Sequence, residues 1–155
     1  MIKLIDILEN KILVPRRSKE ERGKNHNIAL QKKVQQYIKD GGKSDLELSG
    51  TPITSLPPGL SVGENLYLDN CKNLTSLPPD LSVGGSLYLN GTKITSLPSG
   101  LSVGIDLVAN SKITSLPSDL KVGDGLYLSY TPLARSHTKE QIKQMVPDVK
   151  GDIYI

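Results

Sequence analysis

One thiol, two imidazoles and sixteen carboxylates are the reactive groups of this chain. A thiol becomes a nucleophile when a base, a cation or a helix N-terminus draws off its proton. Cys71, the single cysteine, has no histidine in its own stretch of chain, and His26 and His137 belong to opposite ends. Cys71 therefore reads as a structural thiol. Paired carboxylates and metal-ligand clusters are missing from the pattern, and the turn at Val83-Gly84-Gly85 lacks the Lys and the following helix of a phosphate loop. The expectation is a protein that is not an enzyme and needs no cofactor and no metal.

Recognition chemistry is better represented. Tyr67, Tyr88, Tyr127 and Tyr154 each sit at the centre of an apolar-x-apolar triplet, and Glu47 and Val108 hold the same place in two others. Asp45, Asn65, Ser86, Asp106 and Asp152 flank this column on one side, and Ser49, Asp69, Asn90, Asn110 and Ser129 flank it on the other. Tyr offers wide contact area and a hydroxyl at low conformational cost, so Tyr among Ser, Asn and Asp is the composition of a binding surface. Glu47, Tyr67, Tyr88, Val108, Tyr127, Tyr154, Asp69, Asn90 and Asn110 form the candidate partner-binding set, and a protein is the expected partner. The plainer alternative is that the rings stack along a sheet and only protect it.

A second candidate surface is "PRRSKEERGKNHNIALQKK", with Arg16, Arg17, Lys19, Arg22, Lys24, Lys32 and Lys33. It is suited to phosphates or to an acidic protein, and salt would weaken such contacts. No aromatics are interleaved for stacking on bases. Nucleic acid is thus the alternative partner, and a solvated cap the ordinary reading.

The column exists because the chain repeats itself. Residues 45–64, 65–85, 86–105 and 106–124 are four versions of one sentence, of 20, 21, 20 and 19 residues, and a fifth begins at 125 before departing. That is the period of a solenoid of short coils. Leu46/Leu48, Leu66/Leu68 and Leu87/Leu89 alternate as a strand does, two side chains to one face and the middle one to the other. Ile or Leu at 53, 74, 94, 113 and 133, Leu before Pro at 56, 77, 97 and 116, and the Leu/Val pairs 60/62, 81/83, 101/103 and 120/122 complete the inward set. One coil buries too little to offset the ordering of its own backbone, so coils must stack, their strands bonding into one parallel sheet.

Thr51, Cys71, Thr92, Ser111 and Thr131 supply a small polar group at each strand exit, positioned to bond the next coil's backbone. Pro57, Pro78, Pro98 and Pro117 impose an extended return, and Gly63, Gly84, Gly104 and Gly123 are read as allowing the bend into the next strand. The outer side is too short for a full helix.

The pattern Leu-x-Leu-x-x-(Thr/Cys/Ser)-x-(Ile/Leu), with its recurrent Thr-Ser-Leu-Pro, resembles a leucine-rich repeat over about residues 45–136. It is similar to the short, roughly twenty-residue bacterial form found in secreted effectors and in small phage and bacterial proteins. The resemblance implies an α/β fold: a right-handed solenoid with a parallel β-sheet on its concave face, an N-terminal helical cap, and a short C-terminal cap helix plus final strand. It also implies a scaffold for protein binding, and by analogy an inhibitor or effector that sequesters a host factor. Thr mostly replaces the expected Asn, and no catalytic domain of the effector type follows.

The ends read as caps on one domain of 155 residues, with 1–44 before the repeats and 137–155 after them. Ser18 to Glu21 opens a helix whose apolar face is Ala29, Leu30, Val34, Tyr37 and Ile38, and Ile2 to Ile12 suggest a shorter helix before it, broken at Pro15. Thr138 with Gln141 caps a helix that turns Ile142, Met145 and Val146 inward. Ile153 and Ile155 then take the Leu places of a last strand, whose open edge could pair two copies as a homodimer.

Residues 1–44 carry 11 basic and 5 acidic side chains, whereas 45–136 carry 5 and 8, so any basic surface belongs to the N-terminal cap. No uncharged apolar run suggests a signal peptide or a membrane span. With a single cysteine, a cytoplasmic location is expected, that of the host if the chain is phage-encoded.

Overall fold

The computed structural model describes residues 19–155, with side chains from Ile28 onward. The expected helix over residues 2–12, the Pro15 break and the Ser18 cap lie outside the described residues.

Helix α1 (Lys19–Lys39) leads into four coils, each giving two strands of two residues. One strand of each pair is the Leu-x-Leu centre: β1 (Leu46–Glu47), β3 (Leu66–Tyr67), β5 (Leu87–Tyr88) and β7 (Leu107–Val108), followed by β9 (Leu126–Tyr127). The other is the Ser-Val step: β2 (Ser61–Val62), β4 (Ser82–Val83), β6 (Ser102–Val103) and β8 (Lys121–Val122). Helices α2 (Pro132–Ser136) and α3 (Lys139–Met145) and strand β10 (Ile153–Tyr154) close the chain. All pairing is parallel, in a six-stranded sheet of order β1-β3-β5-β7-β9-β10 and a four-stranded sheet of order β2-β4-β6-β8. The result is a mixed α/β parallel solenoid capped by helices at both ends.

The single sheet expected from the sequence is thus two. Leu60-Ser61-Val62 alternates like Leu46-Glu47-Leu48, with Leu60 and Val62 buried and Ser61 exposed, so it makes a second short strand facing the first across the core. The bridge between Val122 and Val149 prolongs this sheet by one step. Between the sheets lie the inward Leu, Ile and Val of every coil, almost all with no accessible surface, and only Leu116 of the set is half-buried.

The glycines before each Leu-x-Leu strand have a different duty from the one expected. None of Gly63, Gly84, Gly104 and Gly123 is left-handed, so the bend does not demand Gly. A Cβ on Gly84 would stand 2.2 Å from Gly63 O, one on Gly104 2.0 Å from Gly84 O, and one on Gly123 1.9 Å from Gly104 O. Coils touch backbone to backbone at this column, and the amides of Gly84 and Gly104 donate to Val62 O and Val83 O at 2.8 Å.

The small polar residues at the strand exits also act within their own coil. The hydroxyls of Thr51, Thr92 and Thr131 donate to the carbonyls of Leu48, Leu89 and Leu128 at 2.6, 2.8 and 2.7 Å. Of these five residues the Cys71 thiol alone bonds the backbone of another coil, back to Leu48 O at 3.1 Å, and its sulfur also lies 3.8 Å from the Thr51 hydroxyl. The reason is geometric: three residues after the acceptor, a β-hydroxyl folds onto its own turn before it can reach a neighbour.

At the N-terminal end Leu30 and Val34 are buried, and the Tyr37 hydroxyl reaches Gly42 O and Ser44 O at 2.7 and 2.5 Å. Ala29 and Ile38, expected on the same face, are exposed, because the contact is a narrow stripe of positions i, i+4 and i+7 and both flank it. At the other end Thr131 caps α2, and Thr138 forms a reciprocal capping box with Gln141 on α3. Ile142 and Val146 are buried, but Met145 sits on the rim, 37% exposed. Strand β10 pairs with β9 as expected, Ile153 inward, and its outer edge has no strand beside it among the described residues. Ile155 was expected inward as well, but it lies past the last paired residue and is 48% exposed.

Candidate functional site

Parallel pairing in register turns the sequence column into a physical one. Glu47 stands opposite Tyr67, Tyr67 opposite Tyr88, Tyr88 opposite Val108, Val108 opposite Tyr127, and Tyr127 opposite Tyr154. Each middle residue is forced outward because its two neighbours are drawn into the core. Tyr67 and Tyr88 are stacked, centroids 4.9 Å apart and planes 7° from parallel; Tyr127 and Tyr154 are stacked at 4.4 Å and 7°. The rings are half-buried by one another, apart from the more exposed Tyr154. Tyr130, the sixth tyrosine, stands off the column, 83% exposed and at a left-handed φ of 66°.

Val108 separates the two stacked pairs. It belongs to the 19-residue coil, which lacks the left-handed residue that Gly50, Asn70 and Gly91 supply at the strand exits of the first three coils.

The flanking polar residues do structural work that the sequence did not reveal. Asp45 Oδ1, Asn65 Oδ1, Ser86 Oγ and Asp106 Oδ1 accept from the backbone amides of Asn65, Ser86, Asp106 and Gly125 at 2.9, 2.8, 3.2 and 2.9 Å. On the other flank Asp69 Oδ1 accepts from Asn90 N at 2.8 Å and Asn90 Oδ1 from Asn110 N at 3.3 Å. Two ladders of side-chain acceptors therefore run beside the rings, each tying one coil to the next. The second ladder stops at Asn110, whose Oδ1 is buried with no hydrogen-bond partner. Glu47, at the first rung, accepts from Ser49 N at 2.6 Å and remains exposed.

These neighbours set the electrostatics of the column. The phenol of Tyr67 is held above its ordinary pKa by desolvation and then by Asp45, Tyr88 and Glu47; that of Tyr127 is raised by desolvation and then by Asp106 and Tyr154. Both stay neutral donors and acceptors at physiological pH. The Cys71 thiol is also pushed up, chiefly by burial, which is the reverse of what a nucleophile needs.

A cation lies over the last ring of the column. Lys139, the first residue of α3, places its Nζ 5.8 Å from the Tyr154 ring centroid and 3.6 Å from Asp152 Oδ1. Lys139, Lys143, Gly151 and Asp152 line an open cleft of about 430 Å³ between α3 and β10. The available signal for Lys139 was its place at the start of a capped helix just before the last strand.

Of the basic candidates, Arg16 and Arg17 lie outside the described residues, and Lys19, Arg22 and Lys24 fall where only the backbone of α1 is described. Lys32 and Lys33 are exposed on α1, and Lys33 Nζ donates to Glu47 O at 2.6 Å, pinning the helix to the first strand. The described residues contain no cluster of His, Cys, Asp or Glu able to hold a metal ion and no helix long and apolar enough to cross a membrane. No protein-family model matches the chain, and neither the curated proteins nor the solved structures gave a significant match.

Proposed function

We propose that this protein is a non-enzymatic binding module of the leucine-rich-repeat type that captures a protein partner on the Tyr-bearing face of its six-stranded sheet. The observation that carries this reading is the register of that face: two parallel-stacked Tyr pairs among carboxylates and amides. Rings already fixed by stacking lose little further freedom on binding, so their contact area converts efficiently into affinity. The roughly twenty-residue period, the Leu-x-Leu strands and the small polar strand exits support the repeat type. The buried, hydrogen-bonded Cys71 thiol supports binding over catalysis. By resemblance to small phage and bacterial repeat proteins, the partner is a host factor that the module sequesters in the cytoplasm.

Asp45, Glu47, Asp69, Asp106 and Asp152 along this face repel phosphate, so nucleic acid remains a candidate only for the basic cap. Affinity capture from a lysate of the native host separates the readings. Replacing Tyr67, Tyr88 and Tyr127 together by Ala should abolish capture of the partner retained by the wild type, while reversing Arg16, Arg17 and Arg22 to Glu leaves it intact. The opposite result assigns binding to the cap.

A further inference from the structure

The register of the column leaves a vacant rung. Tyr88 has Tyr67 against one face and Val108 opposite the other; Tyr127 has Tyr154 against one face and Val108 opposite the other. Strands lie about 4.8 Å apart, so these two rings stand about 9.5 Å apart across the Val108 rung. A valine ends at its two methyl groups and covers only the roots of the rings. A flat group entering above it would lie about 4.8 Å from each ring, close to the 4.9 and 4.4 Å of the existing pairs.

The chemistry of the rung narrows the guest. Asp106 and Asn110 hold the two outward positions beside Val108, and Asp106 offers a carboxylate acceptor there. The Asp106 carboxylate accepts one bond through Oδ1, from Gly125 N, whereas Asn110 Oδ1 is buried and out of a guest's reach. The molecule already fills the comparable corner one coil further on. There Asp152, two residues before Tyr154 as Asp106 is two before Val108, pairs with Lys139 Nζ while that ammonium lies over the Tyr154 ring. A cation held between a phenol face and an aspartate is therefore the arrangement this sheet adopts where a cation can reach it. Between two parallel rings a planar cation is preferred to a spherical one, and guanidinium is flat, stacks on aromatic faces and carries donors only.

The geometry points to the Val108 rung as an arginine-binding slot, in which an Arg side chain of the partner lies between Tyr88 and Tyr127 with its donors toward Asp106. This rests on the protein-binding reading and specifies that reading's partner as one presenting an exposed arginine. Asp106 is the source of the charge preference, and the shortness of Val108 is the source of the space.

The test is a titration of the full chain, followed through the ring NMR signals of Tyr88 and Tyr127, with the capped tripeptides Gly-Arg-Gly, Gly-Lys-Gly and Gly-citrulline-Gly, and with adenosine monophosphate. The arginine peptide should give saturable shifts at millimolar concentration, about fivefold tighter than the lysine peptide. Neutral citrulline and the nucleotide should not saturate. Val108→Tyr fills the rung with a ring that continues the stack, so it should abolish the response while keeping cooperative unfolding. Asp106→Asn keeps the Oδ1 acceptor for Gly125 N and should weaken the arginine peptide about fivefold.

Equal response to citrulline, saturation by the nucleotide, or an arginine response that survives Val108→Tyr would each overturn the slot. So would failure of the Tyr88 and Tyr127 rings of the wild type to respond at all. If the Tyr67, Tyr88 and Tyr127 substitutions still abolish partner capture in that case, the binding face stands and only the arginine assignment falls.

Discussion

Single side chains on the outer face are set by what lies one coil away. The Tyr67 and Tyr127 phenols are desolvated by their neighbours and face carboxylates, so the folded state holds their protons more firmly than the unfolded chain does. Below about pH 10 both states are protonated and the native contacts keep their full worth. As the pH rises further the unfolded chain ionises first, and stability is lost until the folded phenols ionise too. Urea midpoints measured between about pH 9 and 11 should therefore fall less steeply for Tyr67→Phe/Tyr127→Phe than for the wild type. Equal slopes would remove the carboxylates and stacked neighbours as the cause. Asp106 shows how little of this a residue type announces: in the sequence it is one more surface aspartate, whereas in the fold its Oδ1 holds Gly125 N and its charge acts on Tyr127.

At the scale of the coil, the glycines distinguish two physical needs that look alike in a sequence. Gly59 is left-handed at φ 64° with nothing within 4 Å of an added Cβ, so Gly59→Ala should cost about 1 kcal/mol through backbone strain alone. Gly104 is not left-handed, but a Cβ there would stand 2.0 Å from Gly84 O, so Gly104→Ala must push two coils apart at the seam of the four-stranded sheet. A loss of about 3 kcal/mol is expected, within the range for overpacking. Chemical denaturation of the two variants decides the matter, and equal losses would mean that the seam is softer than its geometry implies. The sequence showed where Gly recurs, but conformational freedom and close approach are different causes that only the neighbouring coil separates. The second sheet stayed hidden for a related reason: a two-residue strand such as Ser61–Val62 gains its identity from β4 beside it, not from its own letters.

For the whole molecule, stacking makes the coils quasi-independent units, each touching only its neighbours. Excising residues 106–124, one complete coil, would join Ile105 to Gly125 and bring Tyr127 directly against Tyr88, giving an unbroken run of four rings. The shortened chain should still unfold in one transition, with a denaturant m-value lower by about one-tenth because m scales with the surface exposed on unfolding. It should also lose the response to the arginine peptide. Aggregation or a broad transition would show that the 19-residue coil is not interchangeable with the rest.

The chain's own letters were enough to fix the period, the inward rungs, the outward column and the capped C-terminal helix, because each depends on alternation or capping within about twenty consecutive residues. What faces what across the gap between coils was decided only by tertiary structure. The acceptor ladders of Asp45 and Asp69, the backbone seam at Gly84 and Gly104, and the open rung at Val108 join residues 19 to 21 positions apart. Their meaning arises when parallel pairing sets equivalent positions one strand spacing from each other.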